Sequence, residues 1–229
     1  MGSGAGDIAM GNAGNDAYII GGGDDGVINE IGNLMGGGVS SEDSIQFELV
    51  NDMHELDFTR TRIAGEIDGS SLEISAGGKG DATLFDQYNE FLSFRKTEYL
   101  VIDDGATANE VFELVTSNPS TNSWDNEVYV GHGNMTGSNA IEVDEGGIDH
   151  VYLGSGTETV NLDGLLAGDS VTIHGISGSD TVNIGNNAAD THVAETIVVT
   201  KGSTSTTNKV EYFDAGGTSL GVEDLTYIV

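Results

Sequence analysis

The sequence predicts an all-β fold built from short strands and glycine-rich turns. Apolar residues alternate with polar ones in many short runs, which is the period of a strand with one buried face. Glycine contributes 35 of the 229 residues and proline contributes one, so many turns can adopt backbone conformations that other residues avoid. Hydrophobic residues make up 37% of the chain, which is enough to build a core at this length.

The net charge narrows the classes of partner. Seven basic residues stand against 38 acidic ones, a formal charge of -31. This sign excludes binding through nucleic-acid phosphates or to an anionic membrane surface. Disorder is the competing interpretation of so high a charge. The regular apolar alternation instead favours a folded chain whose carboxylates are neutralised by a divalent cation, with some of the acids serving solubility.

Two features that the sequence lacks narrow the cellular location of the protein. No apolar run approaches the length of a transmembrane helix. The chain has no cysteine, which fits either a cytosolic protein without thiol chemistry or a secreted one stabilised by metal instead of disulfides.

A nine-residue repeat opens the chain. Its aspartates are Asp7, Asp16 and Asp25, and three nonads aligned on them cover residues 2–10, 11–19 and 20–28. The middle nonad, G-N-A-G-N-D-A-Y-I, fits the pattern G-G-x-G-x-D-x-U-x at every position but the second. The third keeps two glycines, the aspartate and the apolar Val27. These nonads resemble RTX, or haemolysin-type, calcium-binding repeats.

The resemblance implies a parallel β-roll in which each nonad is half a turn, so that nonads one and three stack. It implies a calcium ion between Asp7 and Asp25, with carbonyl ligands from Gly2, Gly4, Gly21 and Gly23. On the opposite edge, Asp16 would bind calcium with the carbonyls of Gly11 and Ala13. Its partner two nonads later would be Leu34, which cannot bind a metal, so this site is either incomplete or completed by residues that precede the chain. Ordinary Gly-Asp turns are the structural alternative.

Residues 36–105 are predicted to form a β-rich capping segment. Alternating apolar residues predict strands around Ile45-Phe47-Leu49, Leu56-Phe58, Leu72-Ile74 and Leu100-Ile102. The segment resembles the region that follows RTX repeats and covers the end of the roll, so residues 1–35 are assigned to the roll itself. Aromatic residues at helical spacing, Phe85, Tyr88, Phe91 and Phe94, predict a short helix that either covers the core or offers rings to a ligand.

Residues 106–229 are predicted to form a parallel β-solenoid with one strand per coil. Seven apolar pairs recur between polar turns: Val128/Val130, Ile141/Val143, Val151/Leu153, Val160/Leu162, Val171/Ile173, Val182/Ile184 and Ile197/Val199. Asp149 and Glu158 repeat the nine-residue step, and Asp180 lies in an RTX-like Gly-Ser-Asp-Thr-Val turn. A second group of calcium sites at these acids is one interpretation, and plain solenoid turns are the other.

The sequence carries none of the catalytic signatures that local motifs reveal. It has no zinc-protease motif, no nucleophile elbow, no P-loop and no cysteine. His132, His150, His174 and His192 form either a stacked transition-metal site or a set of solvated turn residues. Trp124 is either part of a core or a contact for a sugar ring.

These observations predict a calcium-binding structural module of a secreted or cell-surface bacterial protein, of the adhesin or surface-layer type, exported by type I secretion and not an enzyme. It would fold on binding extracellular calcium, and cell-surface polysaccharide or further copies of itself are additional partners to consider. The alternative is an accessory or catalytic β-helix domain of a secreted polysaccharide-active enzyme. Because the chain starts within a nonad pattern, we expect it to be part of a longer protein.

Overall fold

The computed structural model describes residues 7–11, 15–21, 25–30, 43–61, 71–85, 87–88, 97, 99–103, 109–115, 126–131, 140–143, 147–154, 157–162, 165, 167–177, 179–184, 187–189, 191, 194–200 and 209–224. Within these ranges the protein is mostly β-strand, and its helical elements are two three-residue 3-10 turns, Met53–Glu55 and Gly77–Lys79. The predicted all-β class is confirmed, and parallel strands are present. No helix in the described part of the chain has the length and hydropathy to cross a membrane.

The chain divides into two compact units, residues 1–116 and 117–229. The predicted roll and capping segments therefore fall in one unit. The second unit begins a short way beyond the boundary predicted after residue 105, because the last strand of the first unit covers Glu110–Leu114 and pairs with the strand Tyr99–Ile102.

The first unit contains nine described strands. They are β1 (Asp7–Gly11), β2 (Ala17–Ile20), β3 (Asp25–Glu30), β4 (Ser44–Phe47), β5 (Asp57–Thr61), β6 (Ser71–Ser75), β7 (Asp81–Leu84), β8 (Tyr99–Ile102) and β9 (Glu110–Leu114). β1, β3 and β7 pair in parallel, and β6 and β5 follow β7 in antiparallel order. β2, β4 and β8 form a second parallel set that β9 extends antiparallel. The first four strands thus alternate between two sets.

The core of this unit comes from the alternating apolar residues that the sequence identifies. The largest fully buried side chains are Ile20, Ile45, Phe47, Leu100, Ile102 and Phe112 from the β2 set, Ile28, Leu72, Ile74 and Leu84 from the β1 set, and Leu56 just before β5. Burying each such side chain contributes about 1.5–3 kcal/mol. Leu49 does not belong to the predicted strand run, because β4 ends at Phe47 and the Leu49 side chain is 50% exposed in the turn that follows.

The predicted aromatic helix lies mostly outside the described residues, and its described part is a turn. Gln87 is buried there and bonds Thr97 twice, since its amide donates to the carbonyl of Thr97 at 2.6 Å and accepts from the Thr97 N–H at 3.0 Å. Tyr88 is buried with the Arg60 guanidinium 3.8 Å above its ring. Tyr88 therefore serves packing, which is one of the two roles expected for the aromatic run.

The second unit contains ten described strands. They are β10 (Glu127–Val130), β11 (Ala140–Glu142), β12 (Ile148–Tyr152), β13 (Thr159–Leu162), β14 (Ser170–His174), β15 (Thr181–Ile184), β16 (Asn187–Ala188), β17 (Thr196–Thr200), β18 (Lys209–Phe213) and β19 (Ser219–Asp224). β10, β12 and β14 pair in parallel, and so do β11, β13 and β15. The antiparallel strands β17, β18 and β19 follow β14, and β16 pairs antiparallel with β15.

Consecutive parallel strands of this unit alternate between the two sets, which differs from the predicted single strand per coil. Every second strand belongs to the same set, so one repeat of the chain contains two strands. Residues that lie beside each other in neighbouring strands, such as Glu158 and Asp180, are therefore 22 residues apart. The seven apolar pairs located β10 to β15 and β17 but not β16, β18 or β19. The nine- to fifteen-residue spacing between these pairs measures half of the repeat. Both sets turn buried apolar rows inward, among them Val151, Ile173, Val160 and Val182.

A polar ladder runs along the half-exposed side of the β11–β13–β15 set. The Asn183 amide donates to the Asn161 carbonyl oxygen at 2.8 Å, and the Asn161 amide donates to the Glu142 carboxylate at 2.6 Å. Asparagine is a poor strand former, and the ladder compensates because each amide bonds its equivalent in the neighbouring parallel strand.

Candidate functional site

The first and third nonads contribute neighbouring parallel strands, as the resemblance implies, but their register differs from the nine-residue step. Asp7 pairs with Gly26, one residue beyond Asp25, and Asp25 itself pairs with Asp81 in β7. Only the backbone of Asp7, Gly11 and Asp25 is described, and Gly2, Gly4, Ala13 and Gly23 lie outside the described residues. Gly21 follows β2 directly and is half-buried.

The shifted register changes which apolar side chain of the third nonad faces the core. Ile28 is 1% exposed, whereas Val27, the residue in the apolar position of the pattern, is half-buried. A shift of one residue moves every side chain of a strand to the opposite face. In β3 the core residue is therefore Ile28, and not Val27, which occupies the apolar position of the nonad pattern.

Asp16 has a different neighbour from the one predicted. The residue that lies beside Asp16 is Asp43, because Ala17 of β2 pairs with Ser44 of β4 and each acid directly precedes its strand. The Asp16 N–H donates to the Asp43 carboxylate at 2.7 Å, and the Asp16 carbonyl accepts from the Ser44 N–H at 2.9 Å. Leu34 lies outside the described residues. Sequence reasoning missed Asp43, although Asp16 and Asp43 are each followed by apolar residues two and four positions later, Tyr18 and Ile20 or Ile45 and Phe47.

Glu158 and Asp180 form an equivalent pair in the second unit. The Glu158 N–H donates to Asp180 Oδ1 at 2.9 Å, while Oδ2 of Asp180 accepts from the N–H and the hydroxyl of Ser177 at 2.7 and 2.9 Å. The Glu158 carboxylate accepts from the Gly154 N–H at 2.7 Å. Glu158 is 0% and Asp180 is 4% exposed. Both carboxyl groups are thus held inside the protein.

These two arrangements share one geometry, and we call Asp16–Asp43 and Glu158–Asp180 the corner pairs. Each acid ends the segment that carries the chain from one set of parallel strands to the other. The carboxylate of the later residue accepts the backbone N–H of the earlier one. Because neighbouring strands are about 4.8 Å apart, each corner brings two acidic residues close together. Mutual repulsion opposes this arrangement unless a cation or a proton is present.

Asp149 does not meet Glu158, although their nine-residue step suggested a common site; the acid beside Asp149 is Glu127 of β10. Asp149 lies inside β12 and pairs with Val171, while Glu158 precedes β13, which belongs to the other set of strands. The Asp149 carboxylate accepts from the Glu127 N–H at 3.0 Å, and the Tyr129 hydroxyl donates to the Glu127 carboxylate at 2.5 Å. Glu127 and Asp149 are each 1% exposed, and the carboxylate of the later residue accepts the N–H of the earlier one, as in the corner pairs. Asp149 therefore remains a candidate metal ligand, with Glu127 beside it.

Two of the four histidines of the second unit meet on neighbouring strands. His150 Nδ1 of β12 and His174 Nε2 of β14 are 3.2 Å apart, and the Tyr152 ring stacks on His174 at a centroid distance of 4.4 Å. His132, His192 and Trp124 lie outside the described residues. The unequal spacing of the four histidines in the sequence, in steps of 18 and 24 residues, did not predict this contact. It arises because His174 pairs with Tyr152, which lies two residues after His150 on the same face of β12.

Within the described ranges, no three or more His, Asp or Glu side chains converge as a ready-made metal site. The corner pairs provide two carboxyl groups each, whereas calcium takes six to eight oxygen ligands. Further ligands would have to come from backbone carbonyls, water or turn residues.

No protein-family model, curated protein or solved structure matches the chain. The resemblance to RTX repeats thus rests on the nonad pattern of the sequence.

Proposed function

We propose that the chain is a calcium-binding structural module of an exported bacterial protein of the RTX kind, adhesin or surface-layer in type, which folds when it binds extracellular calcium. The observation that carries the proposal is the stacking of buried acidic residues at the corners, with Glu158 and Asp180 as the most fully described case. In this proposal, the parallel strands of the first unit are a β-roll and those of the second unit are a two-strand-per-coil β-solenoid.

The electrostatics of the second unit support a cation. By sequence, residues 117–229 hold sixteen acidic residues, two lysines and no arginine. Of those two lysines, Lys209 is described, and it is exposed on β18. Burying a carboxylate is costly unless hydrogen bonds and an opposite charge offset the lost hydration. The amide and hydroxyl donors around Asp180 supply hydrogen bonds, and a bound divalent ion would supply the charge.

The chemistry of the available donors favours calcium over other metals. The corner pairs offer carboxylates beside backbone carbonyls and no thiolate, and hard oxygen ligands in irregular geometry suit calcium. Magnesium demands near-octahedral geometry and keeps its water, and zinc prefers nitrogen or sulfur. Extracellular calcium modules bind with a Kd of about 10⁻⁴–10⁻³ M, so the site would be empty in the cytosol and occupied outside the cell. Since the metal binds the folded form, its binding energy adds to the folding energy.

The test titrates calcium into the metal-free chain while far-ultraviolet circular dichroism and isothermal titration calorimetry are recorded. We expect β structure to rise with calcium and to be lost in excess EGTA, with magnesium replacing calcium poorly. Asp180→Asn should raise the calcium concentration at half-folding by about tenfold, which equals about 1.4 kcal/mol. β structure that is unchanged in EGTA, with no heat of binding, would refute the proposal.

The matched control is Glu195→Gln, which removes one negative charge from an exposed residue of the same unit. Its calcium titration should follow that of the unmodified chain. If both variants shift the titration equally, calcium responds to total charge and not to the corner pair.

A further inference from the structure

The strand β19 leaves one edge of its sheet open. β19 pairs antiparallel with β18, and among the described strands it has no second neighbour. Every residue from Ser219 to Glu223 is exposed. The outer edge of β19 therefore presents backbone N–H and C=O groups in strand geometry to the solvent, which is what an added strand requires.

The turn before β19 holds this strand against β18. Oδ1 of Asp214 accepts hydrogen bonds from the N–H groups of Gly216 at 2.9 Å and Thr218 at 2.8 Å, and the Asp214 N–H donates to the Thr218 carbonyl at 3.0 Å. The Ser219 hydroxyl donates to the Glu211 carboxylate at 2.9 Å. A peptide that joins this edge meets a strand that is already formed, so less ordering entropy opposes its binding.

β19 presents apolar surface and negative charge at successive positions. Val222 is 52% exposed, and Leu220, two residues before it, is 49% exposed. Glu223 follows Val222, is exposed, and points to the opposite face of the strand. A strand added beside β19 has the same alternation, so its residues would lie beside Val222 and Glu223 in turn. Apolar residues that alternate with basic ones fit these two neighbours.

Electric charge distinguishes the possible occupants of this edge. By sequence, the hairpin from Lys209 to Asp224 holds four acidic residues and one basic residue, and the whole chain has a formal charge of -31. A second copy would bring the same excess of negative charge against the edge, and like charges disfavour that pairing. A basic strand would instead place lysine or arginine beside Glu223, which makes an opposite-charge pair across neighbouring strands.

We propose that the outer edge of β19 is a docking site for an extended basic segment of another protein, which adds to the sheet as a further strand with apolar and basic residues in alternation. The backbone hydrogen bonds of the edge supply affinity, and the contacts with Val222 and Glu223 supply specificity. The site depends on the edge strand alone, whether or not the corner pairs bind calcium.

The test measures the binding of a fluorescent six-residue peptide of alternating lysine and valine, matched to the length of β19, to the full 229-residue chain at saturating calcium. Fluorescence anisotropy gives its Kd. A peptide of alternating glutamate and valine reverses the charge, and the lysine–valine peptide with every backbone nitrogen methylated keeps the charge but cannot donate backbone hydrogen bonds. We expect each of these two peptides to bind at least about tenfold more weakly than the unmodified lysine–valine peptide.

Two variants locate the binding site on the protein. Val222→Lys places a positive charge on the edge, against the lysines of the bound peptide, and should weaken binding by about tenfold. Leu49→Lys is the matched control, because Leu49 is a 50% exposed apolar residue of the first unit, and it should leave the Kd unchanged. Circular dichroism should show the same β structure in both variants, since both side chains are exposed.

Three results would overturn the proposal. The first is the absence of saturable binding of the lysine–valine peptide. The second is equal binding of the methylated peptide, or an equal loss in both lysine variants, because the peptide would then respond to total charge and not to the edge. The third is a dimer in analytical ultracentrifugation that Val222→Lys dissociates, which would assign the edge to a second copy of the chain.

Discussion

We expect Gly131→Ala to destabilise the protein, because the added methyl group collides with the carboxyl group of Glu158, a residue far from Gly131 in the sequence. Gly131 follows β10, and its N–H donates to the Tyr152 carbonyl at 2.8 Å, so its backbone is fixed. A methyl group on Gly131 would lie 2.6 Å from Cδ and 2.7 Å from Oε2 of Glu158. The φ angle of Gly131 lies outside the left-handed range, and the three atoms nearest to the added methyl all belong to Glu158, so the collision with Glu158 is the obstacle that alanine meets.

The magnitude follows from what Glu158 loses when it moves. Its carboxylate is fully buried and accepts the Gly154 N–H at 2.7 Å, and a hydrogen bond to a charged group contributes about 1.5–3 kcal/mol. Replacing glycine by alanine returns about 0.4–1 kcal/mol by restricting the unfolded chain. We therefore expect Gly131→Ala to lower the free energy of unfolding by about 1.5 kcal/mol. With Glu158→Ala already present, the same change should be neutral or slightly stabilising.

The assay is a double-mutant cycle. Urea unfolding of the unmodified chain, both single variants and the double variant is measured at one fixed calcium concentration, with circular dichroism and Trp124 fluorescence as readouts. A coupling energy of about 2 kcal/mol supports the geometry. If Gly131→Ala costs the same with and without Glu158, the added methyl group collides with another group and not with the Glu158 carboxylate.

Two further predictions concern one turn and one buried hydroxyl. Gly175 has a φ of +74°, and a Cβ there would lie 2.8 Å from the Leu153 carbonyl oxygen. Gly175→Ala should therefore destabilise the second unit by about 1–3 kcal/mol in thermal unfolding. An unchanged melting temperature would contradict this backbone geometry. Burial raises the pKa of the Tyr88 hydroxyl, with the Arg60 charge acting in the opposite direction. The unfolded chain therefore loses this proton first, and stability should fall as the pH rises above about 10. Tyr88→Phe should show a smaller loss in urea unfolding between pH 9 and 11, and equal losses would argue against a buried hydroxyl.

Local pattern was sufficient for most strands and for the core. A strand with one buried face needs an apolar residue at every second position, and this demand is visible without knowledge of its neighbours. Pairs such as Val160/Leu162 and Val182/Ile184 therefore mark β13 and β15 correctly. Leu49 is the counterexample, since an apolar residue that continues the pattern can still lie in an exposed turn.

The sequence by itself determined the all-β class, the positions of most strands and the excess of acidic residues, because each depends on a residue and its close neighbours in the chain. Only the tertiary structure decided which acids meet. Asp16 meets Asp43, and Glu158 meets Asp180, through strands separated by long connections. The physical reason is register: a pairing shift of one residue, or a repeat of 22 residues instead of nine, reassigns every neighbour while leaving the alternation of each strand unchanged.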